Sequence, residues 1–183
     1  TSGFLGIIAG SLLGDLVFTV VPAGAIRFHV MFGAAVALGL VYLAIVLKVT
    51  RHDVPPRVRR INPPVYRLLT RYWPGRVVLV ALVMGSGMVV TTVFLTRMAT
   101  GLGINGIATF FVGYALTAFI FRVWARNWSH TVGRRAMIAM GLCGHATGHL
   151  LLVTVSSGWH FVLPSIACGI GHALLFPAVI SLG

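Results

Sequence analysis

The sequence predicts an all-α integral membrane protein with six transmembrane helices. Three observations point there. Hydrophobic residues make up 58% of the 183 residues and charged ones 9%; a soluble globule of this size needs about a quarter of its residues charged to coat its surface. Twelve of the fourteen basic residues fall in two clusters: Lys48, Arg51, Arg57, Arg59, Arg60, Arg67, Arg71 and Arg76, then Arg122, Arg126, Arg134 and Arg135. Between the clusters run apolar stretches of about twenty residues, the length that crosses a hydrocarbon core as a helix. These stretches are unbroken rather than alternating, which argues against barrel strands.

Taken in order, the spans are 2–21, 30–47, 77–94, 104–121, 136–155 and 161–182, each bounded by charge, Pro or Trp. Trp73, Trp124, Trp128 and Trp159 all fall at or just beyond span ends, where amphipathic rings sit at headgroup level. Successive spans alternate in direction, so both basic clusters share one side. Short loops rich in Lys and Arg stay cytoplasmic, which places loops 48–76 and 122–135 inside, together with both chain ends. The start without Met and the absence of a polar tail after Gly183 read as a piece of a longer chain. The expected location is the plasma membrane of a bacterium, with anionic headgroups facing the basic loops.

A net charge of +12 does not indicate nucleic acid, because these cations flank apolar runs instead of covering a folded polar face. Cys143 and Cys168 lie inside apolar segments and indicate no disulfide framework. Within the basic linker, Val65, Leu68, Leu69 and Tyr72 recur at helical spacing, with Arg67, Thr70 and Arg71 on the other face. This predicts a short interfacial helix, either a sensor of anionic lipid or a linker resting on the membrane through snorkelling arginines. Proline pairs at 55–56 and 63–64 stiffen the remainder. The domain reading is 1–50, 51–76 and 77–183.

Four stretches of residues carry a family resemblance. The glycine-rich Ser2-Gly-Phe-Leu-Gly-Ile-Ile-Ala-Gly-Ser-Leu-Leu-Gly and the turn Ile26-Arg-Phe-His-Val-Met-Phe resemble the fifth helix and the entry to the sixth in the major facilitator superfamily. Arg122-Val-Trp-Ala-Arg-Asn-Trp-Ser-His-Thr-Val-Gly-Arg-Arg resembles its loop between helices eight and nine, and Gly169-Ile-Gly-His-Ala-Leu-Leu-Phe-Pro-Ala-Val its tenth helix in efflux-type permeases. The resemblance implies helices five to ten of a twelve-helix, two-bundle transporter: the last two of the first bundle (1–50), a cytoplasmic linker (51–76) and the first four of the second bundle (77–183). It also implies a gate-loop motif at Arg122, Arg126, His130, Gly133, Arg134 and Arg135. His130 stands where the family has its acid, Arg126 replaces the opening glycine and Thr131 the following arginine, so a charge-relay latch is weakened or pH-dependent here. The same residues also satisfy a plain basic loop obeying topology.

Gly6, Gly10 and Gly14 form one small-residue face, and Gly141, Gly144 and Gly148 another; each predicts close approach of a neighbouring helix. Pro177 predicts a kinked or loosened last helix. Asp15 is the only acid inside a span, a candidate for coupling or substrate binding, with a structural hydrogen bond near the outer interface, reached by Arg27 or Arg97, as the competing account. His145 and His149 share one face of the fifth span, and Cys168 and His172 one face of the sixth. In an antiparallel hairpin His145 comes level with His172, and His149 with Cys168. Such a set either lines a transport cavity, is satisfied by packing, or ligates Zn²⁺, Cu⁺ or haem.

The chain has no nucleophile–base pair, phosphate loop or carboxylate pair, so catalysis and cofactors are not expected. The functional expectation is alternating-access transport of a small solute, by efflux coupled to protons. A six-helix haem- or metal-binding protein built on His145, His149, Cys168 and His172 is the alternative.

Overall fold

The computed structural model describes residues 2–52, 64–71 and 75–180. The described residues are helical throughout, without strands. The helices are α1 (Ser2–Val20), α2 (Ala25–Val49), α3 (Val65–Arg71), α4 (Arg76–Gly101), α5 (Ala108–Trp124), the single turn α6 (Trp128–Thr131), α7 (Arg134–Leu152) and α8 (Val162–Ile180). Five of them, α1, α2, α4, α5 and α8, are long and apolar enough to cross a membrane. The fifth predicted span forms as α7 but falls outside that set, because Arg134, Arg135, His145 and His149 dilute its apolar residues.

Contacts divide the chain into two compact units, Thr1–Asp15 with Pro74–Gly183, and Leu16–Trp73. The second unit contains α2, which has no buried residue although it is apolar on every side. Phe32, Val36, Leu40, Leu43 and Leu47 all stand exposed. An all-round apolar surface with no protein partner is what a lipid-facing helix presents. At its entry, the Arg27 guanidinium donates twice to the Val21 carbonyl (3.1 and 2.8 Å) and lies over Phe18. At its end, the Thr50 hydroxyl donates to the Val46 carbonyl at 2.8 Å. The predicted linker helix is present as α3; Tyr72, Trp73 and residues 53–63, with Arg57, Arg59 and Arg60, lie outside the described residues.

In the larger unit α8 is central and packs chiefly on α7 and α5. Two glycines two positions apart on α8 make this possible, since two residues turn a helix by about 200°. A methyl on Gly169 would meet the Tyr114 carbonyl and Thr117 of α5, at 2.7 and 2.9 Å. One on Gly171 would meet the His145 amide and the Gly141 carbonyl of α7, at 2.7 and 2.8 Å. The expected stripe on α7 therefore does pack against a helix. Gly6, Gly10 and Gly14 do not: nothing among the described residues lies within 4 Å of a methyl placed there. Pro177 does not interrupt α8, which stays helical to Ile180.

Two further boundaries differ from expectation. The third span continues to Gly101 rather than ending at 94, with Thr96, Arg97 and Thr100 inside the helix. It stops where the Gly103 amide donates to the Thr100 carbonyl and the Ile104 amide to the Ala99 carbonyl, with Gly103 at φ +68°. This pair of bonds is a Schellman cap, which satisfies carbonyls that otherwise lack donors. The fourth span accordingly begins at Ala108 instead of 104.

Candidate functional site

Three titratable side chains of the larger unit, His145, His149 and Cys168, meet at the α7–α8 seam. Gly148 lets α8 close on α7 until the Cys168 sulfur fills the space a methyl would take. That approach draws His145, His149 and Cys168 together, with one ligand-type atom from each inside a 4.8 Å group. His172 stays outside this group. It stacks on Phe176 at 5.3 Å, meets Phe4 and Tyr114 edge-on, and its ring centre is 6.5 Å from that of His145. The four residues expected to converge thus form a trio with a neighbour, because α8 turns Cys168 toward α7 and His172 toward the aromatic rings.

Hydrogen bonding separates the histidines. His149 Nδ1 lies 2.7 Å from the His145 carbonyl, so it carries the proton and donates; Nε2 then accepts from the Thr91 hydroxyl of α4 at 2.9 Å, with the Gly87 carbonyl 3.3 Å away. Both ring nitrogens of His145 and Nδ1 of His172 are buried without a hydrogen-bond partner. Buried polar atoms are almost always paired, and leaving one unmade costs about 1–3 kcal/mol. His145 and Cys168 line a cavity with Met88, Thr91, Phe110 and Tyr114. Its volume of ≈ 10 Å³ is about the room of one water or one ion, and far less than a porphyrin.

Asp15 lies in α1, away from this seam. Its carboxylate accepts from the amides of Ala108 (2.8 Å) and Ile107 (3.4 Å) at the start of α5. Ile107 has no side chain able to cap a helix, and Asp15 supplies the missing acceptor from 93 residues away in sequence. A carboxylate at a helix N-terminus also meets the positive end of the helix dipole. Two backbone donors account for the carboxylate, as the structural account anticipates; the donors are amides and not Arg27 or Arg97.

The gate-loop residues form ordered turns. Arg126 sits in a 3₁₀ turn (Ala125–Asn127), His130 in the backbone of α6, and Arg134 and Arg135 in the first turn of α7. Gly133 joins them at φ +88°, a conformation that side chains other than glycine rarely adopt. Ala125 packs with Met137, Leu174 and Ala178; nearby, Phe121 meets Trp124 and Trp128 edge-on, and the two indoles lie tilted to each other. Arg122 is separate from this loop. It lies in the last turn of α5, and its guanidinium points at Phe176 (5.1 Å) and Phe4 (6.0 Å), the rings that also hold His172. Sequence reasoning missed this box, because its parts come from α1, α5 and α8; the only local signal is an arginine directly after Phe119-Ile-Phe121. Compared with family models, with curated proteins and with solved structures, the chain gives no match.

Proposed function

We propose that the chain is the central part of a secondary transporter of the major facilitator type, with six spans here of twelve in all. It exports a small solute by alternating access in exchange for protons, across the plasma membrane of a bacterium. The observation that carries this reading is Arg122. An ionisable residue within a membrane helix is a functional-site hypothesis by default, and Arg122 is half-buried among aromatic rings. Arg122 has no acidic partner among the described residues, and Asp15 is committed to α5. A solute with an anionic group supplies the missing charge, with the faces of Phe4 and Phe176 as walls and the unpartnered Nδ1 of His172 beside them. From there His172, His145 and His149 follow one another at ring separations of 6.5 and 6.0 Å, a file of titratable groups suited to proton movement.

The test uses the full-length protein in liposomes loaded with a pH-sensitive dye and challenged with a panel of organic anions, amines, sugars and amino acids. An organic anion should produce a protein-dependent pH change, and Arg122→Ala should reduce it at least about tenfold, the loss of one charge-assisted contact. A flux unchanged by Arg122→Ala, or no flux with any class, would sink the reading.

A further inference from the structure

We propose that His145, His149 and Cys168 form a binding site for a single soft cation, Cu⁺, between α4, α7 and α8. Three features converge on this site. Ligand-type atoms of the three side chains lie within 4.8 Å of one another. Bond lengths of about 2.0–2.3 Å require separations of about 3.5 Å around a tetrahedral ion, and rather more around a two- or three-coordinate one; small side-chain rotations close the gap. His145, 8% exposed, has two ring nitrogens without partners, and a ligand is what such atoms lack. His149 is held in orientation and tautomer, because its Nδ1–H donates to a backbone carbonyl, as in metal-binding imidazoles, and its Nε2 lone pair, which takes the Thr91 hydroxyl at 2.9 Å, is the one a metal would claim in that hydroxyl's place.

Charge and softness choose the ion. On binding, the Cys168 thiol releases one proton to solvent and bonds through its sulfur. With two neutral imidazoles and one thiolate, Cu⁺ leaves the site with no net charge, whereas Zn²⁺ leaves one positive charge in an apolar bundle at considerable cost. The same cavity exposes the thioether of Met88, whose sulfur accepts from the Tyr114 hydroxyl at 3.2 Å. Thioether and thiolate sulfur together favour Cu⁺ over harder ions. His145 and Cys168 open onto that cavity, whose ≈ 10 Å³ admits one ion and little else, and His149 stands beside it.

Cu⁺ on His145 and His149 takes the lone pairs that the histidine file needs, so the copper-bound and proton-carrying states exclude each other; binding is measured in detergent without a gradient, where it is scored apart from transport. The full-length protein, stripped of metal and kept reduced, is titrated against Cu⁺ held by a chromophoric chelator. One equivalent should transfer per chain, with sulfur-to-copper charge-transfer absorption in the near ultraviolet. Cys168→Ala and His149→Ala should each weaken binding by about 100-fold or more, and Cys143→Ser, at an exposed position, should leave it unchanged. If Cys168→Ala aggregates, His149→Ala decides alone, since His149 is only half-buried. No transfer to the wild-type protein, full transfer to His149→Ala, or tighter binding of Zn²⁺ than of Cu⁺ would each overturn the proposal.

Discussion

Asp15 illustrates how little a residue's identity says about its work until its partners are known. The sequence makes it conspicuous as the only acid in a span, and the structure gives it two backbone amides at the start of α5. Removing a cap of this kind costs about 1 kcal/mol. Asp15→Ala should therefore lower the stability of the detergent-solubilised protein by about that much, measured by thermal unfolding. Asp15→Asn, which keeps one acceptor oxygen, should lose less and should retain transport. A transport defect in Asp15→Asn with unchanged stability would instead restore a coupling role. The histidines were legible as a set from their spacing, since i, i+4 pairs on two hairpin helices must face related depths. Their division into a trio and a separate His172 was not legible, because it depends on how far α8 rotates about its own axis.

At the scale of elements, α8 is held by the absence of side chains on two opposite sides. A methyl at Gly171 would meet backbone atoms of α7, which no rotamer change can move aside. Gly171→Ala should therefore destabilise the protein by about 1–3 kcal/mol, the usual range for overpacking. Gly10→Ala, where nothing lies within 4 Å, should be neutral or slightly stabilising. Unfolding in a denaturing detergent series measures both; equal effects would mean that the α7–α8 seam is no tighter than the bare face of α1. Helix existence was legible from apolar run length, but helix ends were not. Hydropathy ended the third span at the first polar residues, whereas backbone hydrogen bonding continued to the Schellman cap at Gly103. The signal was present in Gly101-Leu-Gly103-Ile, as glycine beyond a helix end followed by an apolar residue.

For the whole molecule, five helices long and apolar enough to cross a membrane follow from composition, and the two basic clusters predict an orientation that labelling can test. With the native cysteines removed, Arg60→Cys and Ser129→Cys should be shielded in intact cells from an impermeant thiol reagent, while Ser157→Cys should react. Labelling at position 60 would reverse the topology. Composition misjudges α7, the one long helix that is not apolar enough on its own to be counted among the spans. Its cations and imidazoles lower its affinity for lipid, and its place is secured by packing on α8 instead of by partitioning. The Arg122 box was illegible because it joins side chains from three helices, a relation no local pattern encodes.

The bond from Asp15 to Ala108 spans 93 residues, and this has a consequence in time. Ribosomes add about 5–20 residues per second, so the carboxylate of the first helix waits about 5 to 20 s before its partner has been made. During that interval α1 is a membrane segment with an unmatched acid. A chain stalled in synthesis before position 108 therefore leaves the Asp15 carboxylate without the Ala108 amide it accepts from in the folded protein.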